Sequence, residues 1–346
     1  MSKPKIPLLT YTRTGLYCEA GNFYIDPMKA VDVAVVTHAH SDHARRGSSQ
    51  YYCARPGVEL LKTRLGLKIS VQGIPYRQEF VLGKVKVSFH SAGHILGSAQ
   101  VRIEHEGEVW VASGDYKREA DPSCDPFEVV RCETFVTEAT FGTPKYVWDK
   151  NVLHGKMISE WWLKNAGEGC NSVLFGYSLG KAQRILAELE PFAQKSVLIY
   201  STISELTACY RNEGRRLAAT EDLMKAVATA RKFSGDLILC PPSVLKEEVI
   251  RAIRPYKTAF ASGWMQGASS VNSIGHYDHG FVMSDHADWE GLNQTIQETG
   301  ANRVFIQHRN GALIRHLRRK GMDANPVEDL NSDFFSRLPE VNLSLF

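Results

Sequence analysis

The stretch Val31-Asp32-Val33-Ala34-Val35-Val36-Thr37-His38-Ala39-His40-Ser41-Asp42-His43 decides how this chain is read. Its first half is apolar and β-branched, the pattern of a buried strand. Its second half places four ligand-type side chains, His38, His40, Asp42 and His43, within six positions. A strand fixed by the core holds the loop that follows it, so that loop loses little further freedom when a metal ion arrives. His38 and His40 alternate with Ala39, so both imidazoles can point the same way. Asp42 and His43 follow after one small residue and can reach a second ion beside the first. A lone histidine here would read as an ordinary polar loop. Three histidines and an aspartate in this order read as a metal site.

Outward from this loop the same device recurs, a strand that ends in a ligand-type residue. Asn22-Phe23-Tyr24-Ile25-Asp26-Pro27 is a short strand ending at an acid. Asp26 either orients a neighbouring metal-ligand histidine or is a plain turn residue before Pro27. Gly15-Leu16-Tyr17-Cys18 reads as an edge strand without a functional role. Arg45, Arg46 and Gly47 start a helix or line a cleft, and 50–67 reads as a strand followed by a helix. Residues 81–90 alternate in the strand manner and lead to Ser91-Ala92-Gly93-His94-Ile95-Leu96-Gly97. Two glycines beside His94 let the backbone pass close to a metal centre. A hairpin over 100–103 and 108–112, turning at Glu106-Gly107, ends at Asp115, where a bridging carboxylate can sit. His90 and His105 in this region read as ordinary strand or turn histidines. A further strand, 135–137, ends at Glu138.

Residues 148–265 change character. Strands at 173–177, 197–200 and 237–240 alternate with helices, and no ligand cluster appears. Ser178-Leu179-Gly180-Lys181 opens a helix whose start can hold a phosphate, or is a plain strand-to-helix turn. It lacks the P-loop spacing. The ligand pattern resumes with Ser284-Asp285-His286-Ala287-Asp288 after a strand at 280–283. It appears again at His308, which ends the strand 302–307, and a helix follows over 312–320. The economical reading is one site-bearing domain, 1–147 and 266–346, interrupted by an inserted α/β domain, 148–265.

Composition sets bounds on function. The chain has 346 residues, 43% hydrophobic and 23% charged, which suits a soluble globular protein with a substantial core. The net charge of +3 gives no strong global field, so contact with a polyanion must come from local patches. No apolar run approaches the ~20 residues of a membrane helix. Residues 1–10 carry no apolar secretory region, and the seven cysteines are scattered singly. Reduced thiols and a cytoplasmic location are expected.

The residues 38–43 spell H-x-H-x-D-H, and the chain resembles the β-CASP branch of the metallo-β-lactamase superfamily over essentially its whole length. The resemblance implies an αββα sandwich with an inserted β-CASP domain. Asp26 falls on the first motif, His38, His40, Asp42 and His43 on the second, His94 on the third and Asp115 on the fourth. Glu138, His286 and His308 look like the three β-CASP motifs. The wording of several stretches is similar to bacterial ligase-associated DNA exonucleases, notably Gly-Asn-Phe-Tyr-Ile-Asp-Pro, Val-Ala-Ser-Gly-Asp-Tyr-Lys-Arg-Glu and Tyr-Ser-Leu-Gly-Lys-Ala-Gln-Arg. Arg309 and Asn310 depart from the glycine that often follows the last motif. His276 and His279 match no motif and read as surface histidines.

This resemblance implies a metal-dependent DNA nuclease, a hydrolase of single-stranded DNA acting as an exonuclease in DNA repair. An ATP-dependent DNA ligase and a helicase are implied as partners in the same pathway. It implies two divalent ions, Zn2+ or Mn2+, with His38, His40 and His94 on one, Asp42, His43 and His308 on the other, and Asp115 between them. A hydroxide activated by both ions would attack phosphorus, with His286, oriented by Glu138, protonating the leaving oxygen. Lys117, Arg118 and Lys181 are the expected phosphate contacts. A histidine at the last β-CASP position is similar to RNA enzymes of this branch, so the alternative is an RNA 3′-end-processing or RNA-degrading nuclease with the same site. An acyl hydrolase on the same fold would need neither Glu138 nor His286, and a non-catalytic scaffold would not keep every ligand position filled.

Overall fold

The computed structural model of the protein describes residues 7–267, 277–307 and 311–331. His276, His308, Arg309 and Asn310 lie outside the described residues. The fold is mixed α/β, and its described strands form three sheets. In the first sheet Thr10–Thr12, Gly15–Cys18, Phe23–Ile25, Val33–Val35, Gln50–Ala54 and Val71–Ile74 lie side by side in chain order. The first three strands are antiparallel and the others join in parallel. Gly15–Cys18 is therefore an interior strand, not the expected edge, because Thr10–Thr12 covers its outer side. Arg46 and Gly47 form a turn, and residues 45–47 do not start a helix.

The second sheet runs Phe80–Leu82, Val85–Ser91, Ala99–His105, Glu108–Ala112, Thr134–Thr137, Arg303–Ile306 and Asp323–Pro326. Its last two strands come from the far end of the chain, with Arg303 opposite Thr134. Alternation along these strands explains how the sheet serves two cores. Trp110, Val136 and Phe305 face the first sheet, together with Val87, Phe89 and Val101. Val111, Phe135 and Val304 face the other way, against helices Trp289–Thr299 and Gly311–Arg319. Helix Val58–Leu65 packs on the outer face of the first sheet through Leu60 and Leu61. The layers are helix, sheet, sheet, helix. The predicted hairpin turn has Glu106 at φ 50° and Gly107 at φ 80°, two positive values in succession, as tight two-residue hairpins require.

The third sheet is parallel throughout: Thr220–Asp222, Val197–Ile199, Leu237–Cys240, Asn171–Phe175, Tyr256–Ser262 and His279–Val282. Its central strands are buried on both faces, which is why they read as continuous apolar runs. The sheet extends past the boundary expected at 266. His279–Val282 pairs with Tyr256–Ser262, and Phe281 buries into the third sheet's core. Helix Ser201–Asn212 of this segment reaches the first sheet's outer face through Tyr210 and Cys209.

The glycines beside His94 serve packing. Gly97, at φ +72°, lies so close to Gly57 that a Cβ would sit 2.2 Å from the Gly57 nitrogen. Gly93, at φ +70°, faces the Lys117 carbonyl oxygen, 2.3 Å from where its Cβ would be. Both tie the His94 loop to neighbouring backbone. Gly97→Ala is expected to lower stability by about 2–4 kcal/mol, from backbone overlap plus the left-handed conformation. Urea denaturation of the two proteins measures it.

Candidate metal centre

Four histidines and two carboxylates meet where the first two sheets end and the third-sheet segment docks. The site begins with Asp26, which follows strand Phe23–Ile25 and has φ 46°, a conformation that aspartate tolerates better than most residues. Its Oδ1 accepts the backbone N–H of Thr37 at 2.7 Å and its Oδ2 accepts the Thr37 hydroxyl at 2.6 Å. Oδ2 also accepts from Nδ1 of His43 at 2.7 Å. Asp26 thus ties the strand end before it to the ligand loop after Val33–Val35.

The hydrogen bonds on the far side of each ring decide which nitrogen faces the centre. The Thr37 hydroxyl gives its proton to Asp26, so toward His38 Nδ1, 3.1 Å away, it accepts. His40 Nε2 donates to the Leu179 carbonyl at 3.1 Å, and His94 Nδ1 donates to the Asp285 carbonyl at 2.7 Å. The remaining nitrogens are unprotonated and converge. His40 Nδ1 is 3.0 Å from His38 Nε2 and 3.1 Å from His94 Nε2. Burial, and then the neighbouring histidines, holds His38 and His94 well below the ordinary imidazole value, and His40 is lowered chiefly by burial. Three neutral lone pairs thus face one another without a proton between them. A cation resolves this, since zinc with bonds of about 2.0–2.1 Å spaces tetrahedral ligands by about 3.3 Å.

Asp115 completes the cluster. It is buried, with Oδ2 3.4 Å from His43 Nε2, 3.6 Å from His38 Nε2 and 3.8 Å from His94 Nε2, and Oδ1 has no hydrogen-bond partner. An orphaned buried carboxylate oxygen beside imidazole nitrogens fits a cation-binding role. Burial works against charge on both His43 and Asp115, yet their mutual attraction outweighs it. His43, helped by Asp26, is held well above its ordinary value, and Asp115 well below the usual carboxylate range. Asp42, exposed, has Oδ2 3.8 Å from His43 Nε2. The donor set of imidazole and carboxylate without thiolate can hold a divalent metal ion. His308 lies outside the described residues. All seven cysteines are free thiols, none of them in the cluster.

Beside the cluster stands a second carboxylate–histidine pair. Glu138, fully buried after strand Thr134–Thr137, accepts the Tyr116 N–H at 2.7 Å and the Thr140 hydroxyl at 2.6 Å. Its oxygens lie 3.0 and 3.2 Å from Nδ1 of His286. Burial pulls the His286 value down, but Glu138 outweighs it and raises it to about 9. The imidazolium is therefore the resting form at neutral pH.

The three residues expected to contact phosphate are engaged within the protein. Lys117 is buried and pairs with Asp121 at 2.6 Å. Lys181 is buried too, pairs with Asp285 at 2.8 Å and donates to the Met283 carbonyl at 2.5 Å; burial pushes its value down to about 8. Arg118 turns to helix Trp289–Thr299, where it pairs with Glu298 at 2.8 Å and donates to Thr295. None of the three faces the centre as a free cation. His90 bonds Ser88 and Glu128 and His105 bonds the Lys84 carbonyl, as ordinary strand histidines do. His279 is exposed at a strand start. Sequence reasoning missed Thr37, Asp285 and the Leu179 carbonyl. Asp285, next to His286, was the one with a visible signal. The cavity over the centre, about 670 Å3, is lined by His40, Asp42, Arg64, Asp115, Tyr177, Trp264 and His286. A larger one, about 770 Å3, opens around Trp148, Leu153 and Phe192 and holds none of the clustered histidines.

No family model matches the chain. Over 320 residues, 92% of its length, it is 30% identical to a probable DNA ligase of Opitutus terrae, of which it covers 31%. Over 193 residues, 49% of its length, it is 23% identical to an RNase J-like protein of Methanocaldococcus jannaschii, covering 46% of that protein. The chain thus spans about a third to a half of these curated relatives. Other relatives bear the names ribonuclease and endoribonuclease. A crystal structure of a protein of unknown function from Enterococcus faecalis V583 shares the fold, with a TM-score of 0.55 at 13% identity over 79% of this chain and 74% of that one.

The Glu138–His286 pair makes a prediction for the metal-free protein. The folded value of His286 lies above its ordinary 6.5, so the pair adds stability that is whole below about pH 6.5 and is lost as pH rises through about 9. In Glu138→Gln, burial loses its main counterweight and is opposed only by the smaller pull of Asp115 and Asp285. NMR titration should then find the His286 midpoint lowered from about 9 toward 6.5.

Proposed function

We propose that the chain is a two-metal phosphodiesterase, an exonuclease on single-stranded DNA acting in DNA repair in the cytoplasm. The observation that carries this reading is the pairing of two devices at one cavity: a cluster of unprotonated imidazoles with Asp115, and beside it a charged His286 held by Glu138. His38, His40 and His94 would hold one ion and Asp42, His43 and His308 the other, with Asp115 shared. Zn2+ and Mn2+ both suit these donors. Bound divalent ions supply Lewis acidity toward a phosphate and an activated water.

The chain's own residues supply the rest. Asp26 orients His43. Glu138 holds Nδ1 of His286 and leaves Nε2 to deliver a proton to the departing sugar oxygen, help that is typically worth ~10²–10⁴-fold in rate. We take residues 148–282 as an inserted β-CASP domain. In support, they make a sheet of their own, while Arg303–Ile306 and Asp323–Pro326 pair onto the sheet of Thr134–Thr137. No helix among the described residues is long and apolar enough to cross a membrane.

DNA as the substrate, and an ATP-dependent DNA ligase and a helicase as pathway partners, are supported by the wording of the motifs. They are supported too by the match to part of a longer relative named as a probable DNA ligase. An RNA 3′-end-processing or RNA-degrading nuclease is the second reading, favoured by the relatives with ribonuclease names. An end-labelled time course on single-stranded DNA and RNA of one sequence, with Mn2+ and Zn2+ compared, separates them. Faster loss of the RNA would reverse the order.

Two variants test the roles. Metal analysis should find close to two ions per chain, and Asp42→Ala should lower that number and abolish hydrolysis. Full activity in Asp42→Ala refutes the second ion. His286→Ala should keep its metal and cleave DNA ~10²–10⁴-fold more slowly, while losing far less on a diester with a p-nitrophenolate leaving group, which needs no proton. Equal losses on both substrates would remove His286 from proton delivery.

A further inference from the structure

Two large aromatic side chains stand exposed at the mouth of the centre. Tyr177 is 54% and Trp264 50% exposed, and both line the cavity that holds His40, Asp115 and His286. Scattered exposed aromatics need no explanation. Two on one cavity wall, each backed by other rings, do. Trp264 leans on Phe141 at 4.6 Å between ring centres and on Tyr146 at 5.6 Å, and Phe141 in turn reaches His286 at 6.0 Å. The Ser262 hydroxyl accepts the Trp264 N–H at 3.3 Å and pins its turn. Tyr177 meets Phe260 edge-on at 6.4 Å and precedes by two residues Leu179, whose carbonyl orients His40. Both rings are therefore braced by neighbouring rings and still about half exposed at the cavity. Arg64, anchored on the Ala39 carbonyl, brings a positive charge to the same space.

We infer that Tyr177 and Trp264 form a subsite that stacks unpaired nucleobases next to the scissile phosphate. This rests on the phosphodiesterase reading and adds which side chains hold the single strand. Inside a duplex both faces of a base are covered by its neighbours, so these rings find a free face where the strand is single. Stacking is indifferent to base identity, because every base has a π-face. The subsite therefore selects for single strands without selecting sequence. With Lys117, Lys181 and Arg118 held in ion pairs, these rings and Arg64 are at hand in the cavity to hold a strand.

The test compares an oligothymidylate with a strand of equal length whose terminal nucleotides are abasic. The wild-type enzyme should prefer the base-bearing strand in kcat/KM by about 5- to 150-fold, the range of one stacked base. In Tyr177→Ala and Trp264→Ala that preference should shrink toward unity, mostly through KM. Tyr177→Phe and Trp264→Phe should restore it, because a phenyl ring still stacks. A preference that stays at the wild-type ratio in both alanine variants overturns the subsite. So does a wild-type enzyme that cuts both strands equally well. If the wild-type enzyme cuts only RNA, the same comparison on an oligouridylate decides the subsite; an enzyme that cuts neither DNA nor RNA with either metal removes the phosphodiesterase reading itself, and the subsite with it.

Discussion

Three imidazole nitrogens without protons, with His40 Nδ1 3.0 and 3.1 Å from the other two, are a repulsive arrangement that no neutral protein interior favours. What sustains it is a hydrogen bond on the far side of each ring. The anchors come from three separate places. Thr37 and Asp26 belong to the first sheet's strand ends, Leu179 to the third-sheet segment, and Asp285 to the stretch after Val282. The centre is therefore defined only when all three sheets are in position. A metal bound there would stabilise that docking as much as the docking shapes the metal site.

Behind the histidines the docking is enforced by buried charge. Lys181 and Arg184, on helix Lys181–Leu189, both reach Oδ1 of Asp285, at 2.8 and 3.3 Å. Arg184 also meets Asp121 at 3.5 Å and Glu188 at 2.8 Å, and Asp121 takes Lys117. Buried ions are costly unless each has its partner, so a displaced helix would strand several charges at once. Asp285 joins this network to the centre. Its carboxylate is held by the third-sheet segment and its carbonyl sets the protonation of His94.

Two carboxylate–histidine pairs flank the cluster with different outcomes. Asp26 and Glu138 each bind a histidine at Nδ1. The free Nε2 of His43 points at Asp115, where a proton and a metal ion compete for the same position. His286 carries its charge at the wall of the open cavity instead. One chemical device thus serves as a ligand clamp on one side and a proton source on the other. The difference lies in what each Nε2 faces.

Much of this was legible from the chain alone. Alternation located the strand around Val87, a hairpin reading the one around Trp110, and the ligand types at strand ends marked His38, His40, His43, His94 and Asp115 as one chemistry. Strand ends are readable because alternation stops where burial stops. Other features were set only by tertiary contacts. Lys117 and Lys181 read as phosphate contacts, since a lysine's sequence neighbours do not say whether an aspartate will bury it. Gly15–Cys18 read as an edge, since a strand cannot announce that another will cover it. The extension of the third sheet to Val282 depended on which core received Phe281. The carbonyls of Leu179 and Asp285 carry no sequence signal at all, because every residue has one, and only the folded chain decides which of them meets a histidine.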